Sequence, residues 1–214
     1  MTKLPTIEAF NVRFEHLRTL SSSGIFSILS AWNHLRTRRD PVEWFHLIWI
    51  KNSIPKLAFC LWLAVLGRLG TKDRGFNSEI NHICVLCNSQ EEDYNHLFFK
   101  CTVSDIIWKR MQIIGGFCTP ILDWKSLVEW VAHKWKGSSL EMDIRKVCLA
   151  GTVYQIWAER NSRIHHNQAS NVPQLCEKIV RLIKLKLHTL KGIPDNAHNR
   201  RTQARWNLPL SIFN

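Results

Sequence analysis

Four residues stand at intervals that suit a single ion. Cys84-Val-Leu-Cys87 is followed after eight residues by His96 and after four more by Cys101, a C-x2-C-x8-H-x4-C pattern. A two-residue gap lets both sulfurs of a tight turn face one point. The distal gap lets a short loop or helical turn present His96 and Cys101 to the same point. Three thiolates and one imidazole form a closed tetrahedral Cys₃His set, which favours Zn²⁺. Four protein ligands leave no position for water or substrate, so the expected role of the one zinc is structural. Its affinity becomes folding free energy for a segment of low apolar content. The competing reading is four unrelated thiol and imidazole side chains in a core, where Cys packs as a small hydrophobe. His82, two residues ahead of Cys84, is a rival for one ligand position.

Other chemistry is sparse. No Gly-rich phosphate loop, Gly-x-Ser-x-Gly or His-Glu-x-x-His occurs, and no Asp-Asp pair exists to hold two metal ions. His165-His166 beside Arg163 lacks a nucleophile or carboxylate at a defined gap and reads as a surface pair. An enzyme is therefore not expected, and neither is a small-molecule substrate. Cys60, Cys118, Cys148 and Cys176 share no ligand spacing and read as core thiols.

Stepping along the chain gives the elements that must place the four ligands. Weak alternation over 10–17, a Ser-Ser-Ser-Gly turn and 24–27 predict a short N-terminal β-hairpin, and 28–38 predicts a helix. Pro55 near the first turn starts a helix over 56–66. Its apolar residues fall on every face, so it is expected to be the buried central helix. Helices follow over 104–114, 124–135, 140–164 and 175–190. Val147, Ala150, Tyr154 and Trp157 form one apolar stripe in the long one. From Asp195 the chain is polar and basic and reads as a flexible tail, with Trp206 the best candidate for an exposed aromatic. The fold class is mainly α, with a zinc-stapled Cys/His segment and the hairpin. The division is 1–40 for hairpin and helix, 41–115 for the zinc-binding core, 116–194 for a helical part and 195–214 for the tail.

Several of these segments, in order, resemble the reverse-transcriptase zinc-binding domain of plant non-LTR (LINE-type) retrotransposons. They are Gly24-Ile-Phe-Ser, Trp49-Ile-Lys-Asn-Ser-Ile-Pro-Lys, Arg68-Leu-Gly-Thr-Lys-Asp-Arg74, the C-x2-C pair, acidic Glu91-Glu-Asp93 and His96-Leu-Phe-Phe-Lys-Cys101. Trp157-Ala-Glu-Arg-Asn161 resembles the family's downstream helix, so the likeness spans about 20–165. Gly70 and Gly75 depart from it, standing where Pro and Leu are common. The resemblance implies zinc on Cys84, Cys87, His96 and Cys101. It also implies a nucleic-acid role in a parent element, no polymerase activity, and a detached piece of that element, either relic or domesticated.

The chain has 214 residues, 29 Lys and Arg against 17 Asp and Glu, and a net charge of +12. Residues 161–214 hold nine cations against two carboxylates, +7 of that excess. Such an excess points to an anionic partner, RNA or DNA above all. Lys178, Arg181, Lys184 and Lys191 are expected on one face of the 175–190 helix, opposite Leu175, Ile179, Leu182, Ile183 and Leu187. They could contact phosphates, contact an anionic membrane, or belong to an ordinary packed surface helix. Seven Cys without a secretion signal suit a reducing intracellular compartment, the nucleus first. The longest apolar run, 57–66, is too short for a membrane span. A protein-interaction module, or a relic in which zinc only holds the fold, is the alternative function.

Overall fold

The computed structural model describes residues 40–74 and 81–213. The expected hairpin and first helix therefore lie outside the described residues. The chain divides into units 1–42 and 43–214. In chain order the second holds α1 (Phe45–Ile48), α2 (Pro55–Val65), a 3₁₀ turn (Lys72–Arg74), a π-turn (His96–Lys100) and α3 (Thr102–Gly115). Then come α4 (Trp124–Lys134), α5 (Leu140–His166), α6 (Val172–Leu187), α7 (Ala197–Trp206) and a last 3₁₀ turn (Leu210–Ile212). Strand pairing among the described residues is limited to single bridges, Ile83 with Glu91 and Ile193 with Phe213. The mainly helical class holds.

The centre is α5 and not the α2 helix expected from its apolar composition. Every residue from Val147 to Val153 is buried, as a helix packed on all sides requires. Its neighbours are α2, α3, α6 and α7. Small residues make this possible: a Cβ on Gly151 would lie 3.2 Å from Ile179 Cγ2 of α6. By contrast α2 buries Leu57, Ala58, Leu61 and Ala64 but leaves Phe59 53% exposed. Composition on all faces thus did not mean contact on all faces. Ser139 starts α5 by accepting the Met142 N–H, with Glu141 and Asp143 in the first turn, where the helix dipole favours anions.

Glycine sets the end of α3. Gly116 has φ +71°, and a Cβ there would stand 1.7 Å from the Arg205 guanidinium. The Gly115-Gly116 stop lies inside the 43–214 unit, so 43–115 and 116–194 are parts of one body with a shared core.

The expected flexible tail is instead a capped, packed element. Asn196 caps α7 by accepting the Asn199 N–H, and Trp206 is 1% exposed. Ile193 N–H donates to Ile212 O at 3.0 Å, tying the end of the chain back to the segment before α7. Its composition is polar because one narrow row, Asn199, Thr202 and Trp206, faces inward. Burying an indole of that size outweighs a short helix's weak propensity.

Candidate metal centre

The backbone explains why His96 and Cys101 converge. In an α-helix, five steps leave two side chains about 140° apart. Here Cys101 N–H donates to His96 O at 2.6 Å, the i→i+5 bond of a π-turn. That wider turn brings Cys101 back to the side of His96. Asp93 Oδ1 accepts the His96 N–H at 2.6 Å and fixes the start of the turn. On the other side, Asn88 N–H donates to Cys84 O at 2.8 Å and closes the C-x2-C knuckle. Asn88 takes φ +54°, which Asn tolerates better than most residues.

The ligand atoms of Cys84, Cys87, His96 and Cys101 all lie within 4.8 Å of one another. Cys84 Sγ to Cys101 Sγ is 4.0 Å, and Cys87 Sγ to His96 Nε2 is 3.2 Å. A tetrahedral zinc with ordinary bond lengths has S···S edges of about 3.8 Å and S···N edges of about 3.5 Å. The observed edges bracket those values, and the donor set is the one zinc prefers. The four residues make one zinc site. His82 is not part of this group; its backbone carbonyl accepts the Glu92 N–H instead.

The site is buried and electrostatically supported. Cys84, Cys101 and His96 are buried and Cys87 is half-buried. The Cys84 thiol donates to Cys101, and that bond, then burial, pushes its pKa far up. Accepting it holds the Cys101 thiol below its ordinary value, helped by the Ser104 and Val103 amides at the start of α3. Zinc takes the place of that shared proton.

Two arginines of α5 complete the centre. Arg160 Nε and Nη2 both donate to Glu92 Oε1, at 3.1 and 2.8 Å, and Glu92 is 1% exposed. Arg163 Nη1 donates to the carbonyls of Val85 and Leu86, at 3.0 and 3.2 Å, inside the C-x2-C knuckle. Glu159 Oε1 accepts from Arg163 Nε at 2.9 Å and holds it there. The 3₁₀ turn leans on the same carboxylate, because Lys72 N–H donates to Glu92 Oε1 at 3.0 Å. Arg74, at the end of the 3₁₀ turn, serves elsewhere: it donates to Gly67 O and covers the Tyr94 ring at 4.8 Å.

The Arg160 and Arg163 contacts to the zinc segment join residues 68 and more positions apart, so no local pattern could announce them. Two signals existed: a carboxylate inside a Cys/His loop, and the Trp157-x-x-Arg160-Asn161 stretch. They also change the charge of the segment. Glu92 is neutralised by Arg160 and Asp93 caps the π-turn, so among Glu91, Glu92 and Asp93 only Glu91 lacks such a role.

The sequence-selected cations are dispersed. Lys178 and Arg181 are exposed on α6 and line one groove. Lys184 is half-buried outside that groove. Lys191 lies past the helix, which ends at Leu187 with His188 as its cap. Trp206 is buried, and Trp49, 44% exposed, is the indole most open to solvent among the described residues. Cys60, Cys148 and Cys176 are core thiols as expected, but Cys118 is exposed, in the loop after the Gly115-Gly116 break. His165 and His166 are exposed. Among the described residues no helix is long and apolar enough to cross a membrane.

A family model described as zinc-binding in reverse transcriptase matches residues 26–108. The match contains all four ligands and ends within α3. It stops short of α5, whose Arg160 and Arg163 hold the zinc segment. No curated protein and no solved structure matches the chain.

Proposed function

We propose that this chain is a nucleic-acid-binding module derived from the polyprotein of a plant LINE-type retroelement, stapled by one zinc and without polymerase activity. The match to a zinc-binding segment of reverse transcriptases supports the origin. The placement of charge carries the binding role: +7 of the +12 lies in residues 161–214, with Lys178, Arg181, Arg201 and Arg205 exposed on α6 and α7. Zinc is the scaffold, because a closed Cys₃His site offers no exchangeable position. Thiolate ligands fit a reducing compartment, and we place the protein in the nucleus.

The test is fluorescence anisotropy of the zinc-loaded chain against labelled 12-nucleotide single strands and 12-base-pair duplexes, RNA and DNA, at 50 and 200 mM salt. Binding that weakens with salt is expected, by a slope of about 0.7 per phosphate contact on single strands and 0.9 on B-DNA. Binding that ignores salt, or none at either concentration, removes this function.

A second function has its own observation. Trp49 and Phe59 are 44% and 53% exposed on either side of the half-buried Trp62, whose ring lies 5.6 Å from Phe59 and 6.4 Å from Trp49. An aromatic patch of this kind favours a protein partner. Weakened capture of one defined partner by Trp49→Ala and Phe59→Ala, with nucleic-acid binding absent, would establish it.

A further inference from the structure

The loop joining α5 to α6 forms one wall of a groove of about 670 Å³. Ser162, Ser170, Gln174, Glu177, Lys178 and Arg181 line it. The size suits a nucleotide unit and not a bare ion alone. The walls are built of hydrogen-bonding side chains and two cations, with Glu177 the one carboxylate. Lys178 Nζ donates to Ser170 Oγ at 2.9 Å. That leaves the ammonium two further donors and fixes its position. Among the described residues Arg181 makes no ion pair, although Glu177 stands one turn before it. The facing wall runs along the first three turns of α6, from Gln174 to Arg181.

What sets this groove apart from other basic surface is its foundation. Ser170 N–H donates to Glu159 Oε1 at 2.7 Å, and Ser170 O accepts from Arg163 Nη2 at 3.1 Å. The same guanidinium grips the carbonyls of Val85 and Leu86 between two zinc ligands. One side chain thus spans the metal knuckle and the groove wall. We propose that this groove seats a phosphodiester of a nucleic-acid strand on Lys178 and Arg181, and that Arg163 is the positioning residue that makes its shape depend on zinc. The identity of the strand rests on the function proposed above; the seat can be tested without it.

Two measurements on the full zinc-loaded chain separate these. In the first, amide NMR follows a titration with inorganic pyrophosphate. Shifts centred on Ser170, Gln174 and Lys178 are expected; shifts elsewhere, or none, overturn the seat. In the second, anisotropy follows a labelled 12-nucleotide DNA strand. Lys178→Gln with Arg181→Gln should weaken binding at least about tenfold, the scale of one or two charge-assisted hydrogen bonds. The salt slope should fall by about 1.4, two single-strand contacts. Lys134→Gln with Lys136→Gln removes equal charge outside the groove and should do much less; equal losses overturn the seat in favour of diffuse attraction.

Arg163→Gln should keep one zinc by elemental analysis, lose the pyrophosphate shifts at Ser170, and weaken the strand about as the double variant does. Arg163→Lys should restore only part. Unchanged pyrophosphate shifts in Arg163→Gln overturn the link to zinc. Pyrophosphate shifts at Ser170 in a chain that binds no strand uphold the phosphate seat and refute the nucleic-acid function. Loss of binding to phosphatidylserine vesicles in the double variant, with strand binding intact, would make it a lipid site and overturn the proposal.

Discussion

At the scale of single residues, chemistry follows from environment more than from type. The seven cysteines fall into three classes. Cys118 is exposed, Cys84, Cys87 and Cys101 are ligands, and Cys60, Cys148 and Cys176 are buried thiols, with burial pushing Cys60 up to about 11, Cys148 further, and Cys176 above its ordinary value. Because the thiolate is the nucleophile, alkylation at pH 7.5 should modify Cys118 first, the ligands only after a chelator, and Cys60 and Cys148 only on unfolding. Mass spectrometry of peptides along a time course reads this order, and early labelling of Cys84 in zinc-loaded protein would contradict it. Cys84→Ser or Cys101→Ser should bind far less than one zinc per chain by elemental analysis, whereas Cys118→Ser should keep it. The buried pair is equally specific. Removing Arg160 strands the Glu92 carboxylate, so Arg160→Ala should cost about 3–5 kcal/mol in urea unfolding. Glu92→Gln in the same chain should recover much of that loss. Additive effects of the two changes would show that they do not communicate.

At the scale of elements, the local parts were legible and the distant ones were not. The four-residue gap between His96 and Cys101 predicted a shared point, though only the structure identified the π-turn that makes it. Helix stops at Gly115-Gly116 and starts at Pro55 followed from backbone chemistry alone. The rank of the helices did not follow. The stripe of α2 is richer in apolar residues than that of α5, yet α5 is enclosed, since its Ala150, Gly151 and Thr152 admit close neighbours. The last segment misled for the converse reason: a helix that buries one Trp among polar residues reads as tail. Trp206→Ala should therefore lower stability by about 3–5 kcal/mol, as for a core aromatic. A thermal scan showing no change would restore the tail reading. The basic row on α6 was visible as periodicity, but carrying it past the true helix end at Leu187 brought in Lys191.

At the scale of the whole molecule, the zinc site and the helical body stabilise each other. Residues 26–108 hold every ligand, but the Glu92 carboxylate and the knuckle carbonyls find their partners in α5. An isolated 26–108 fragment should therefore bind zinc more weakly than the full chain in a competition titration with a chromogenic chelator. Equal affinity would make the module autonomous. Binding to the folded state alone stabilises by RT ln(1 + [L]/Kd), about 2.7 kcal/mol at a hundredfold excess over Kd. Chelation should accordingly lower the melting temperature measured at α5 as well as at the knuckle, by near-equal amounts. Loss confined to residues 82–101 in hydrogen exchange would mean the two are uncoupled.

The long reach of Arg160 and Arg163 also orders events in time. During synthesis the ligand segment leaves the ribosome with Cys101 about 60 residues ahead of Arg160. At 5–20 residues per second, this amounts to roughly 3–12 s in which the knuckle has its four ligands and no α5 to brace it. Glu92 spends that interval in water, where an unpaired carboxylate costs little, and becomes buried only once its arginine exists. Metal capture by the nascent chain can thus precede core formation, and zinc starvation during synthesis should then lower the yield of folded chain more than chelation after folding does.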